Sequence, residues 1–350
     1  MREKVYVLGA GFCRDFNQDA FPLVCDFLSL AVTHGSYKRD STHQQLAMMI
    51  ERYFGNDLYP NIETVLSFFS AEPLDDLGIQ FENRPNLYRQ LVDLIVWELN
   101  RASSIVDRHS QGAWEVYSKF VKHLVATESV VVTFNYDMLL ERLLAEEHPN
   151  DWHMVDGYGI DIPLTDEAFP THTVSKGSTE VTKAWRSKVL ILKLHGSINW
   201  GVPKIASDKG NKIYRRRSGG GECMLHRQVQ HPGGLPLTLR FEPVIVPPIV
   251  DKSEWLRNQT FRYLWNMANQ AIQEAKEIIF IGYSLPPTDF MTEFMFRQAK
   301  MGHSQKQVTV ISPDATNLRP RYEDIFGLGV CTIGRRFQEW FVRSEIYSNP

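Results

Sequence analysis

Val5-Tyr6-Val7-Leu8-Gly9-Ala10-Gly11-Phe12 is the stretch that decides how this chain is read. Its first four residues are an apolar, β-favouring run that suits a strand buried on both faces of a parallel sheet. Gly9-Ala10-Gly11 ends the run. Glycine lets the backbone turn sharply and come close to a ligand, and the free N–H groups of a following helix offer a seat for phosphate. A full dinucleotide fingerprint would place a third glycine where Arg14 stands, and no acid suited to a ribose lies about 20 residues on. Two readings stay open, a phosphate cradle and an ordinary tight turn from strand to helix.

Beyond this turn, from Pro22 to Ala126, the pattern becomes helical. Phe27, Leu28, Leu30 and Ala31 form one apolar face, Leu46, Met49, Ile50 and Tyr53 a second, and Leu91, Leu94, Ile95 and Leu99 a third. Gly55-Asn56-Asp57, Pro60-Asn61 and Pro85-Asn86 carry turn chemistry between them, so several helices are expected as an insertion after the first strand. Ile62-Glu63-Thr64-Val65-Leu66 reads as the start of one helix, with no role assigned to Glu63.

Four more strands follow, each ending in small or polar residues. Val130–Phe134 stops at Asn135-Tyr136-Asp137, Val189–Leu194 at His195-Gly196-Ser197, Glu277–Ile281 at Gly282-Tyr283-Ser284-Leu285, and Val308–Ile311 at Ser312-Pro313-Asp314. Buried strands alternating with helices predict an α/β fold built on a doubly wound, Rossmann-like parallel sheet. Ligands of such sheets bind off the carboxyl ends of the strands, which directs Asn135 and Asp137 to the crevice bordered by Gly9 and Gly11. Asp137 reads equally as the cap of the helix through Leu139, Leu140, Leu143 and Leu144. His195 stands where an imidazole can serve as a base near neutral pH. Asp289 reads as a cap or salt-bridge partner of the helix through Phe294 and Met295, outside the site.

Composition sets the outer limits. The chain has 350 residues, 43% of them hydrophobic, and a formal net charge of -3, so a full core is expected and there is no global charge for nucleic acid or a membrane surface. No apolar run is long enough to span a bilayer, and Met1-Arg2-Glu3-Lys4 leads straight into a strand, which makes the cytoplasm the expected compartment. Cys13, Cys25, Cys223 and Cys331 show no Cys-x-x-Cys spacing, so no metal site is expected.

Gly9-Ala10-Gly11-Phe12, Thr133-Phe134-Asn135-Tyr136-Asp137, Lys193-Leu194-His195-Gly196-Ser197 and Gly282-Tyr283-Ser284-Leu285, in that order, resemble the sirtuin motifs Gly-Ala-Gly, Thr-Gln-Asn-Ile-Asp, His-Gly-Ser and Gly-Thr-Ser-Leu. The resemblance spans nearly the whole chain. Val244–Pro248 and Ile281–Asp289 look more like the bacterial sirtuin-like branch of anti-phage defence, known for consuming NAD⁺, than like protein deacylases. The chain also departs from the deacylases. Only Cys223 lies where they carry a four-cysteine zinc module, the Gly-Ile-Pro-Asp-Phe-Arg loop is replaced by Arg14-Asp15-Phe16-Asn17 and Phe21-Pro22-Leu23, and Cys13 stands where a serine is common.

The resemblance implies NAD⁺ as substrate, with Asn135 orienting ribose and water and His195 as general base. It also implies that Gly9, Ala10, Gly11 and Phe12 hold the pyrophosphate, that Gly282 and Ser284 lie against phosphate or ribose, and that Thr133 and Asp137 complete the NAD⁺ site. Asp314 is implied at the adenosine ribose, although Ser312-Pro313-Asp314-Ala315 also reads as a helix start. The expected activity is an NAD⁺ glycohydrolase releasing nicotinamide and ADP-ribose, or a cyclised product, as the effector of a bacterial anti-phage system. The alternatives are an NAD⁺- or ADP-ribose-binding regulatory or scaffold subunit without turnover, and a zinc-free NAD⁺-dependent deacylase.

Residues 1–350 are expected to form one sirtuin-like domain, with a helical insertion at 22–126 and a basic loop or hairpin insertion at 202–243. Lys204, Lys209, Lys212, Arg215-Arg216-Arg217, Arg227 and Arg240 make the second insertion basic. It is either a solvated loop or a contact surface for an acidic partner, a neighbouring subunit or nucleic acid. Control is expected through a homo-oligomer or a separate regulatory subunit, for which the family offers a HerA-type ATPase and Argonaute-like proteins.

Overall fold

The structure, a computed structural model, describes residues 3–38, 40–55, 60–70, 84–105, 111–153, 156–160, 187–203, 214–215, 226–230, 236–246, 258–300 and 306–344. In chain order it runs β1 (Lys4–Leu8), α1 (Ala10–Phe16), α2 (Phe27–Thr33), α3 (Ser41–Phe54), α4 (Ile62–Ser70), α5 (Arg84–Ile105), α6 (Gln111–Ala126), β2 (Val130–Thr133), α7 (Leu139–Glu147) and β3 (Leu190–Lys193). Next come β4 (Gly196–Pro203), β5 (Tyr214–Arg215), β6 (His226–Gln230), β7 (Pro236–Ile245) and α8 (Gln259–Glu274). The chain closes with β8 (Glu277–Ile281), α9 (Phe290–Lys300), β9 (Gln307–Ile311), α10 (Ala315–Phe326), β10 (Cys331–Ile333) and α11 (Phe337–Val342).

Six of these strands form one sheet in the order β10-β9-β8-β1-β2-β3, with every neighbouring pair parallel. This is the doubly wound order, and the chain reverses its direction of travel between β1 and β8. In register, Val5 faces Val130 on one side and Ile278 on the other, and Leu8 faces Thr133 and Ile281. Val5, Tyr6 and Val7 are fully buried, as a central strand covered on both faces must be. Under the sheet, Phe12, Tyr117, Phe120 and Phe337 pack ring against ring with centroids 4.8–5.7 Å apart, which joins α1, α6 and α11. Each such burial contributes about 1.5–3 kcal/mol.

The helices between β1 and β2 build a second hydrophobic cluster from Phe27, Leu28, Leu46, Ile62, Leu66, Leu91, Ile95 and Leu99, among others, closed by Ile198 of β4 and Ile245 of β7. The helical spacing places these residues correctly, with two corrections. Tyr53 is 37% exposed, because the α3 face turns to solvent before its last turn. Pro85-Asn86 is not a break between helices but lies in the first turn of α5, where a missing proline N–H costs nothing.

The strands after β3 pair antiparallel in the order β5-β4-β7-β6, a small sheet that strand periodicity did not reveal. Its origin is local. Gly196 has φ +81°, and a Cβ there would lie 2.1 Å from the Val244 carbonyl oxygen, so glycine lets β4 run directly against β7. The sixth parallel strand, β10, was likewise not expected. The basic side chains proposed for 202–243, and Asn56, Asp57, Pro247 and Pro248, lie outside the residues whose side chains are described. Among the described residues no helix is long and apolar enough to cross a membrane.

Candidate active site

A cavity of about 770 Å³ opens at the carboxyl ends of β1, β2, β3, β8 and β9, where the winding reverses. Its size suits a ligand of cofactor dimensions. Gly9, Ala10, Gly11, Asn135, Asp137, His195, Gly282, Ser284 and Asp314 all line it. Phe12 and Thr133 do not: Phe12 is buried in the ring cluster beneath, and Thr133 is 5% exposed with its hydroxyl donating to the Leu8 carbonyl at 3.2 Å.

The two glycine turns interlock. The Gly9 N–H donates to the Ile281 carbonyl at 3.0 Å, the Gly11 N–H to the Gly282 carbonyl at 2.9 Å, and the Phe12 N–H to the Gly9 carbonyl at 3.0 Å. A phosphate resting on this loop would therefore find those three amides already engaged. Gly282 adopts φ +61°, with room for no side chain against Gly11 and Phe12. The glycines serve first to let β1 and β8 turn against each other.

Asn135 is anchored from several sides. Its backbone N–H donates to the Thr133 hydroxyl at 3.1 Å, and its Nδ2 donates to the Gly9 carbonyl at 3.0 Å and to Cys13 Sγ at 3.3 Å. Asp137, 6% exposed, lines the cavity and lies one residue before the N-cap Met138, accepting from the N–H of Leu139, the first residue of α7, at 2.9 Å. Burial, and then the charge of Asp137, push the Cys13 thiol well above its usual pKa. Beneath this loop Lys193 is almost wholly buried, bonded to the Asp137 carbonyl and paired with Glu141 at 2.7 Å.

His195, 5% exposed, leads from β3 into β4, its carbonyl accepting from the Val246 N–H at 2.7 Å. The imidazole meets the edge of Phe134 at 5.1 Å and stacks with Tyr136 at 6.2 Å between centroids. Its Nε2 lies 3.6 Å from Oδ1 of Asp289. Asp289 is only 3% exposed, and its Oδ2 accepts from the Tyr283 hydroxyl at 2.8 Å. Burial, and then the Asp289 charge, raise the pKa of Tyr283, so that group stays a neutral donor.

The far end of the cavity is more open. Asp314 is exposed, precedes α10 and accepts from Asn317 Nδ2, so it stands both at the helix start and on the cavity wall.

Sequence reasoning left out of the site three acids that line the cavity, Asp15, Glu63 and Asp289. Asp289 follows Ser284 by five residues on a strand-end loop, a spacing that could have drawn it into the site. Glu63 belongs to α4, and its Oε2 accepts from Thr288 Oγ1 at 2.9 Å across 225 positions of sequence, for which no local signal exists. Among the described residues no group of three or more His, Cys, Asp or Glu side chains is arranged to hold a metal ion.

A doubly wound sheet with a cavity at its reversal defines a Rossmann-like class of fold. Residues 129–331, more than half of the chain, match the model of the SIR2-like domain, and the chain belongs to that family. Among solved structures it is similar to a Sir2 homologue in complex with NAD, at 14% identity and a TM-score of 0.43, covering 99% of this chain and 88% of that one. A mutant Sir2 homologue bound to ADP-ribose is similar at 14% identity and 0.44, over 99% and 90% of the two chains. A sirtuin from work on sirtuin substrate affinity is similar at 12% identity and 0.43, over 98% and 92%. No curated protein sequence matches the chain.

Proposed function

We propose that this protein hydrolyses NAD⁺ to nicotinamide and ADP-ribose. The observation that carries the reading is that Asn135 and His195, from the ends of two adjacent strands, line one cavity together with both glycine turns. Membership of the SIR2-like family and the order of the four motifs support NAD⁺ as the substrate.

In this reaction the bond between ribose C1′ and the nicotinamide nitrogen breaks, and its electron pair neutralises the cationic ring. Water forms the new C1′–O bond and its proton passes to the His195 imidazole and on to solvent. The transition state is oxocarbenium-like, so positioning and charge matter more than assistance to the leaving group. Asn135, whose Nδ2 is fixed by Gly9 and Cys13, keeps its amide oxygen as the acceptor for a ribose hydroxyl or the water. The buried carboxylates of Asp289, Asp137 and Glu63 give the cavity the sign of charge that favours a cationic sugar.

On this reading residues 1–350 act as one catalytic domain, with 22–126 as a lobe over the cavity and 202–243 as a basic insertion. The setting is a bacterial anti-phage system in the cytoplasm, held quiet by a homo-oligomer or by a separate regulatory subunit. Chromatography of NAD⁺ incubated with the protein, with and without candidate partners, tests the reaction beside Asn135→Ala and His195→Ala. Nicotinamide and ADP-ribose from the wild type alone are expected. NAD⁺ left intact under every condition would overturn the reading in favour of a binding subunit.

A further inference from the structure

Asp289 is a buried acid that neither the glycine turns nor the Asn135–His195 pair accounts for. One of its oxygens, Oδ2, is taken by the Tyr283 hydroxyl, and the other lies 3.6 Å from His195 Nε2. The imidazole plane is set by Phe134 at its edge and by Tyr136 stacked alongside, and Phe134 is itself stacked on Tyr283 at 4.5 Å. The loop that carries Asp289 is tied to the helical lobe, because the preceding Thr288 donates to Glu63 of α4.

We propose that Asp289 is a positioning residue: its carboxylate takes the N–H of one His195 ring nitrogen and so leaves the lone pair of the other for the proton released at the substrate. The clamp runs from lobe to histidine, with Glu63 holding Thr288 and the adjacent Asp289 holding the ring. A carboxylate in this place also steadies the imidazolium that forms when the proton arrives. Among the described residues the titratable groups against His195 are Asp289 before α9 and Tyr136 after β2, with Tyr283 bonded to Asp289 and Glu63 of α4 on the same cavity wall. This inference rests on the reading of His195 as the base of NAD⁺ cleavage.

Two arms test it. The first is ¹⁵N spectroscopy of histidine-labelled protein, with His195→Gln used to assign the His195 signals. Asp289→Asn is expected to change the tautomer populated at neutral pH and to lower the midpoint of the His195 titration. Tyr283→Phe, which leaves the carboxylate with one donor fewer, is expected to raise that midpoint, and it carries the test should Asp289→Asn not fold. The second arm is steady-state kinetics, where Asp289→Asn is expected to lower kcat about tenfold or more, to leave KM within about threefold, and to be partly rescued by Asp289→Glu.

A His195 tautomer and midpoint that do not move in the folded variants would overturn the proposal. A wild-type protein that leaves NAD⁺ intact would instead remove the reading of the reaction, and the spectroscopic arm would still decide whether Asp289 orients the ring.

Discussion

Gly282 occupies the side-chain space of Gly9: a Cβ on Gly9 would stand 2.5 Å from the Gly282 carbonyl oxygen, and a Cβ on Gly282 would in turn stand 2.4 Å from the Phe12 nitrogen. Both contacts are with backbone, which cannot step aside. Gly282→Ala adds left-handed strain at φ +61° to the clash, whereas Gly35→Ala, at φ +74° with nothing within 4 Å, carries strain alone. Denaturant unfolding is expected to show a loss of about 3 kcal/mol or more for Gly9→Ala and Gly282→Ala, against about 1–2 kcal/mol for Gly35→Ala.

Cys13 is a structural acceptor for Asn135. Because burial raises its pKa, the thiol stays protonated and is expected to resist alkylation at pH 8 while exposed Cys25 reacts, as read by peptide mass spectrometry. Cys13→Ser keeps an acceptor for Asn135 Nδ2 and is expected to hold NAD⁺ turnover within about threefold, whereas Cys13→Val removes it and is expected to lower turnover about tenfold or more.

Lys193 and Glu141 are a buried pair, 1% and 2% exposed at the side chain. Removing one charge strands the other, so Lys193→Met is expected to cost about 3–5 kcal/mol in a urea titration. Lys193→Met combined with Glu141→Leu removes both charges and is expected to recover much of that loss. Equal destabilisation by the single and double variants would contradict the pairing.

His123 is expected to make the fold sensitive to acid. Burial, and then the neighbouring Lys4, lower its pKa to about 4, and its Nε2 lies 2.9 Å from the Tyr6 hydroxyl. The unfolded chain protonates this histidine near pH 6.5 and the folded chain only near 4, so the unfolded state binds more protons in that window. Stability is expected to fall as pH drops from 6.5 toward 4, by an amount on the order of 3 kcal/mol. Urea midpoints measured at several pH values should show a shallower decline for His123→Gln.

The central strands were legible because a strand covered on both faces must be a continuous apolar run, as residues 5–8 and 278–281 are. β10 was not, since Cys331-Thr332-Ile333 is a short edge strand whose pairing is set by β9 and not by its own pattern. Helical spacing found Leu91, Leu94, Ile95 and Leu99, but proline chemistry alone could not tell the break expected at Pro85 from the first turn of a helix. In the site, strand ends directed attention to Asn135 and His195. No one-dimensional pattern says which face of a turn a residue takes, so Phe12 and Thr133 were counted with residues that line the cavity. Glu63 was unreadable for a related reason: its partner Thr288 is far along the chain and meets it only through the packing of the lobe.

The cavity is bounded by both hydrophobic clusters, with Phe27, Ile62, Ile95 and Leu99 from one and Phe21, Phe134, Leu318 and Phe337 from the other. A molecule that fills it is mortar between two walls that already touch through Ile198, Ile245 and the bond from Thr288 to Glu63. Occupancy therefore strengthens the coupling between the melting of the helical lobe and that of the sheet, and saturating ligand should raise the temperature at which both melt.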